Sequence, residues 1–243
     1  FCYNAPIMKK DKPMAPMQLD RTGLALRVGR IEQLASIRRL AAEDGKGRGM
    51  RVWEVGNGSG LAFTVYPDRG LDIGRASIHG VPVAWISANH EVAPAFHEPE
   101  GAGWLRSWGG GLLTGCGLAN VGTPCVAGGE SLGLHGRLSH LPAEEVNATA
   151  GWTAEGRYAL EISGVVSETR VFGTKLRLRR SIATALGDNR ITVRDTVENT
   201  GFAPAPCLLL YHINLGWPLV DAGARLEAEP HQVVPRDARA AEG

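Results

Sequence analysis

Lys175-Leu176-Arg177-Leu178-Arg179-Arg180-Ser181-Ile182 alternates polar and apolar side chains with a period of two. Successive side chains of a strand point to opposite faces, so this spacing predicts a strand with one buried face and one wet face. Leu176, Leu178 and Ile182 fall on the inner side, and the arginines are expected to line the outer one. The same period runs through 158–168 and 190–198, with Gly173 and Gly187-Asp188-Asn189 as punctuation. Three such runs in series make an antiparallel meander, and the fold class they predict is all-β.

Working outward, 50–55 and 61–65 flank Gly56-Asn57-Gly58-Ser59-Gly60 and read as a hairpin. Segments 76–78 and 81–86 flank His79-Gly80, a second tight turn between strands. The apolar spacing of 31–42 fits either a short helix or a strand. Residues 94–133 are rich in glycine and hold no period, which predicts a long, mostly irregular excursion. Trp104 and Trp108 argue that it is ordered, because each ring needs something to pack against. The unbroken apolar run 207–211 predicts a strand buried on both faces. Residues 1–20, polar and rich in Met and Pro, are expected to be an untethered arm, and 21–243 a single domain.

Composition agrees with that outline. A chain of 243 residues with 44% hydrophobic side chains can bury one sizeable core. Its 32 glycines and 14 prolines suit many short elements joined by turns. The 26 basic and 25 acidic residues leave a net charge of +1 and are scattered, which argues against a nucleic-acid partner. No apolar run approaches the ~18 residues of a membrane-spanning helix. The first twenty residues lack the apolar stretch and cleavage site of a signal peptide. Cys2, Cys116, Cys125 and Cys207 show no metal-type spacing and are too few for a disulfide framework. The expectation is reduced, buried thiols in a cytoplasmic protein, with the Asn147-Ala148-Thr149 sequon incidental.

Two histidines sit where chemistry could occur. His135 in Leu134-His135-Gly136-Arg137 and His212 in Leu210-Tyr211-His212-Ile213-Asn214 each stand at or just beyond an apolar run. An imidazole at the rim of a sheet, with an ordinary pKa near ~6.5, can give or take a proton around neutrality. It can equally be a half-buried side chain bonded to a backbone carbonyl. No HExxH or Cys–His cluster suggests a metal. The candidate serines (Ser107, Ser131, Ser139) lack a nucleophile-elbow pattern. Gly109-Gly110-Gly111 and Gly115-Cys116-Gly117 lack the Lys and Ser/Thr of a phosphate loop. Arg69, between Asp68 and Asp72, is expected either to join a fixed ion-pair network or to aim its fork of donors at substrate hydroxyls.

Four blocks, in order, resemble the aldose 1-epimerase-like proteins of the DUF4432 family. They are Asp68-Arg69-Gly70-Leu71-Asp72-Ile73, residues 109–118, Leu134-His135-Gly136-Arg137, and Leu210-Tyr211-His212-Ile213-Asn214-Leu215-Gly216-Trp217-Pro218. The resemblance runs from about Ile31 to Arg236 and implies a galactose mutarotase-like β-supersandwich with a sugar cleft on one concave sheet. It also implies that His135 orients the sugar and polarises its anomeric region, and that His212 is the general acid on the ring oxygen. Arg69 and Trp108 would help build the cleft, and Asn214 and Arg137 are further substrate-binding candidates. In such proteins a Glu in later strands removes the anomeric proton. Glu168 and Asp195 do not match that position, so the expectation is a sandwich without its C-terminal strands. The implied activity is interconversion of the anomers of an aldose by acid/base ring opening, with no cofactor and a small sugar as partner. The alternative is a carbohydrate-binding protein that uses the same cleft without turnover.

Overall fold

A computed structural model describes residues 20–227, 234–235 and 237–242. The expected arm therefore lies outside the described residues except for Asp20, whose side chain accepts from the Gly23 amide and caps the short helix α1, Arg21–Ala25. Thirteen strands follow: β1 Ser36–Ala41, β2 Arg51–Gly56, β3 Leu61–Tyr66, β4 Asp72–Ile78, β5 Val81–Pro82, β6 Leu113–Leu118, β7 Cys125–Ala127, β8 Glu130–Leu132, β9 Glu144–Trp152, β10 Tyr158–Thr169, β11 Lys175–Ala185, β12 Thr192–Asn199 and β13 Leu208–Ile213. One sheet has the order β1-β2-β3-β4-β6-β13, with β5 paired to β4. A second has the order β12-β11-β10-β9, and β7 and β8 form a separate ribbon. All of their ladders are antiparallel. The chain is all-β, as its alternation predicts.

The meander holds the core. Register Val166↔Leu178 and Ile162↔Ile182 stacks one face of β10 and β11, and Leu176, Leu178, Ile162 and Ile182 are each at most 1% exposed. Against them lie Val55, Phe63, Val65, Ile73 and Leu113 from the larger sheet. Burying a side chain of this size contributes about 1.5–3 kcal/mol, so this layer is the main cohesive term between the sheets.

The structure corrects several expectations. Arg180 does not join Arg177 and Arg179 outside. Counting by twos from Leu176 and Leu178 leads to it, and its side chain is fully buried. Its charge is matched there: Nε and Nη2 donate to the two oxygens of Asp195 at 2.9 and 2.8 Å, and Nη1 donates to the Gly70 carbonyl at 3.1 Å. The glycine-rich excursion contains a fully buried strand, β6, as well as the β7–β8 ribbon. Glycine hides the period of β6 because Gly115 and Gly117 supply no side chain to count. Strand β9 went unread although Val146, Ala148 and Trp152 alternate with polar residues and pack against the core from its half-buried face. The ambiguous 31–42 resolves into a turn at Ile31–Gln33 followed by β1.

Strand β13 is not buried on both faces. Among the described residues it pairs with β6 alone at one end of the sheet order, and Leu208, Leu210 and Tyr211 are 41–44% exposed. The thiols are also not uniformly buried: Cys116 is, Cys125 and Cys207 are exposed, and Cys2 lies outside the described residues. Segment 81–86 stays in the β4 ladder only as far as Pro82. Ala84 and Ile86 then bridge to Leu215 and Gly110. That crossing carries Trp85 to the end of the sheet where β6 and β13 meet.

Candidate functional site

The loop before Leu138 places His135. His135 and Gly136 both adopt positive φ, 60° and 73°, which reverses the chain in two residues. A Cβ on Gly136 would lie 2.3 Å from the Asn120 carbonyl and 2.6 Å from that of Gly117, so only glycine fits. The reversal is clamped to the end of β6. Gly117 N donates to the His135 carbonyl, and Arg137 N donates to the Gly117 carbonyl, both at 3.0 Å. A left-handed histidine held by its surroundings is a form of local strain that clusters at functional sites.

Strand alternation places His212. On β13, Tyr211 turns to the inter-sheet side, where its hydroxyl donates to Asp195 Oδ2 at 2.8 Å. His212 therefore takes the opposite face, paired in register with Thr114 of β6. Thr114 Oγ1 accepts from Trp108 Nε1 at 3.1 Å and fixes the indole over that face. The Trp108 and His212 rings are 5.3 Å apart at 67°. Trp104 stacks on Trp108 at 4.9 Å and meets His135 edge-on at 4.9 Å. His135 and His212 are themselves 5.6 Å apart at 79°. Trp85 completes the group, 5.1 Å from Trp108. Both imidazoles are half-buried, and Nδ1 of His212 is buried with no hydrogen-bond partner among the described residues.

The other sequence candidates lie around this group in different roles. Asn214 is buried and braces the strand end, its amide donating to the carbonyls of Gly111 at 2.8 Å and His212 at 3.1 Å. Arg137 is exposed, with Glu130 at 3.7 Å. Arg69 is only 4% exposed. It donates to the Val92 carbonyl at 2.6 Å and lies 3.3 Å from Nε2 of His140. The expected pairing of Arg69 with its flanking aspartates does not form. Asp68 accepts three bonds from Arg51, from the backbone amide at 2.7 Å, Nε at 2.8 Å and Nη2 at 2.6 Å. Asp72 accepts from Gly115 N at 2.8 Å where β4 and β6 diverge.

Carboxylates near the site are committed elsewhere. Glu168 accepts from the amides of Leu118 and Ala119 at 2.7 and 3.1 Å, which closes the end of β6. Asp195 holds Arg180 and Tyr211. Burial pushes Asp72 up to about 7, against the pull of Arg69, the Gly115 amide and Arg180. Burial, then the nearby Asp72, pushes the Cys116 thiol up to about 12, which makes it inert. Among the described residues no three His, Cys, Asp or Glu side chains group in a way that would hold a metal.

Sequence reasoning missed Trp85 and the histidines behind the site. His140 is buried, stacked 3.7 Å from His97, with Ser107 Oγ 2.9 Å from its Nε2. Burial, with Arg69 and His97 beside it, pushes His140 down to about 2. The only trace in the sequence is that His140 follows the Leu-His-Gly block closely.

The two sheets and their connections are those of the galactose mutarotase-like class. Residues 47–243 match the family described as a domain of unknown function, DUF4432, and the chain belongs to that family. Among solved structures, a putative aldose 1-epimerase from Klebsiella pneumoniae subsp. pneumoniae MGH 78578 superposes with a TM-score of 0.71 at 26% identity, over 79% of this chain and 52% of that one. The chain thus spans about half the length of the Klebsiella protein. A galactose 1-epimerase from Lactobacillus acidophilus NCFM aligns at 11% identity and a TM-score of 0.36, over 61% of this chain and 44% of that one. No curated protein matches. Among the described residues no helix is long and apolar enough to cross a membrane.

Proposed function

We propose that the aromatic face carrying His135 and His212 binds an aldose, and that the protein is an aldose 1-epimerase-like isomerase. The supporting observation is the meeting of the two imidazoles, 5.6 Å apart and walled by Trp104 and Trp108. A pyranose has one largely apolar face and a rim of hydroxyls, so a wall of indoles beside polar imidazoles suits it. Anomer exchange opens the hemiacetal by protonating the ring oxygen while O1 loses its proton, then closes it on the other face. His212 donates the first proton, and a general acid of this kind contributes typically ~10²–10⁴-fold. His135 holds the hydroxyls beside the anomeric carbon. Trp108 packs on the ring, Asn214 and Arg137 flank it, and Arg69 supports the floor.

A second reading has its own support. Among the described residues no carboxylate bonds to His212, and Glu168 and Asp195 are both engaged elsewhere. These residues alone would hold a sugar without taking its O1 proton, as a binding protein does. Anomer exchange followed by NMR across a panel of aldoses tests the choice. Catalysis accelerates exchange for at least one sugar, and His212→Ala abolishes the acceleration while binding survives. Binding with exchange at the buffer rate supports the second reading, and no binding to any aldose defeats both.

A further inference from the structure

We infer that His140, held between Arg69 and Ser107, is a positioning residue that fixes the Trp104–Trp108 wall of the site. The inference deepens the sugar-site reading and takes its functional meaning from it. His140, Arg69, Ser107 and Ser139 are all at most 5% exposed. A guanidinium is always protonated and can only donate. Nη2 of Arg69 lies 3.3 Å from Nε2 of His140, so that nitrogen is the acceptor and the ring proton is on Nδ1. Nδ1 faces Ser139 Oγ at 3.4 Å, an acceptor for it. Ser107 Oγ, 2.9 Å from the same Nε2 and 3.4 Å from the Trp104 carbonyl, then gives its one proton to the nearer nitrogen. Two buried donors thus share the single lone pair of one imidazole nitrogen, Ser107 the closer of the two.

Those donors lead to the site. Ser107 ends the turn Gly103–Arg106, and its amide donates to the Trp104 carbonyl at 3.1 Å. The next residue is Trp108, whose carbonyl accepts from Ser87 Oγ at 2.6 Å and whose ring faces His212. Pinning the Ser107 hydroxyl therefore sets the turn between the two indoles. His97 lies parallel to His140 at 3.7 Å and 14°, which fixes the face of the ring as Arg69 and Ser107 fix its edge. A cationic His140 would lose both donors and face a second cation, so neutrality belongs to the role.

The test uses the whole chain. Long-range imidazole proton–nitrogen NMR is expected to find His140 as the neutral Nδ1–H form between pH 5 and 8. His140→Leu removes the acceptor. Near-UV circular dichroism of the tryptophans should change, and affinity for the best-bound aldose of the panel should fall about tenfold to hundredfold. His140→Gln, whose carbonyl can take the same two donors, should restore most of both signals. Ser107→Ala, a milder change, should move them the same way should the leucine variant not fold. A cationic His140 at pH 6, or Leu and Gln variants with the same tryptophan spectrum, overturns the inference. If wild type binds no aldose, the sugar-site reading fails, and the tautomer and the tryptophan spectrum still decide the positioning role.

Discussion

His135 and His212 meet edge to face although one stands in a left-handed turn and the other on a regular strand, their ring centroids 5.6 Å apart. Two unrelated local devices converge on one ring contact. The turn depends on Gly136, and the strand on the alternation that sends Tyr211 to Asp195 and His212 to the opposite face.

Gly136→Ala should disturb the first device. Its Cβ would meet two backbone carbonyls at a positive φ, neither of which can yield cheaply. We expect a loss of about 1–3 kcal/mol in stability. Denaturant unfolding measures that cost, and aldose titration should show weakened binding well beyond it.

Trp108→Ala removes the ring that touches His212, Trp104 and Trp85. Aldose affinity should fall by about tenfold, near 1.4 kcal/mol. Trp108→Phe keeps an aromatic ring and loses the bond to Thr114, so it should lie between. Isothermal titration calorimetry separates the three proteins.

Arg180→Met strips the buried charge from Asp195 and leaves that carboxylate with Tyr211 alone. Breaking a buried pair in this way costs about 3–5 kcal/mol. Replacing both partners, Arg180→Met with Asp195→Leu, should recover a substantial part of the loss. A double-mutant cycle by urea unfolding gives the coupling.

Two buried groups tilt stability with pH in opposite directions. Burial raises Asp72 to about 7, above its unfolded value of ~3.9. The folded state holds that proton longer, so this contribution is full below about 4 and is lost as pH rises through about 7. Burial lowers His140 to about 2, below its unfolded ~6.5. Here the unfolded state binds the proton, so stability falls as pH drops from about 6.5 towards 2. Asp72→Asn should flatten the decline above pH 4, and His140→Gln should flatten the loss on the acid side. Urea midpoints of the three proteins between pH 4 and 8 read both effects.

Much of the fold was legible because alternation survives wherever side chains exist to be counted. The meander followed from period two, and the 50–65 hairpin from two short runs about a glycine-rich turn. Strand β6 was hidden because two of its six residues are glycine, whereas β9 carries a readable alternation, Val146, Ala148 and Trp152, that was passed over because small and polar residues dilute it. Arg180 illustrates a different limit. Its parity was readable, but chemical type pointed outward, and only the partner carboxylate on β12 makes the inside tolerable. At the site, the two motif histidines stood out at the ends of apolar runs, His135 beside Gly136. His140, His97 and Trp85 gave no such sign, because their roles come from contacts between distant segments.

The claim on which most depends is that His135 and His212 face one bound sugar. Imidazole proton–nitrogen spectra recorded during titration with the best-bound aldose test it directly. Both rings should shift together with a single dissociation constant, and Trp108→Ala should weaken both shifts alike. Saturable binding that leaves either histidine unmoved, or that moves the two with different midpoints, would contradict it.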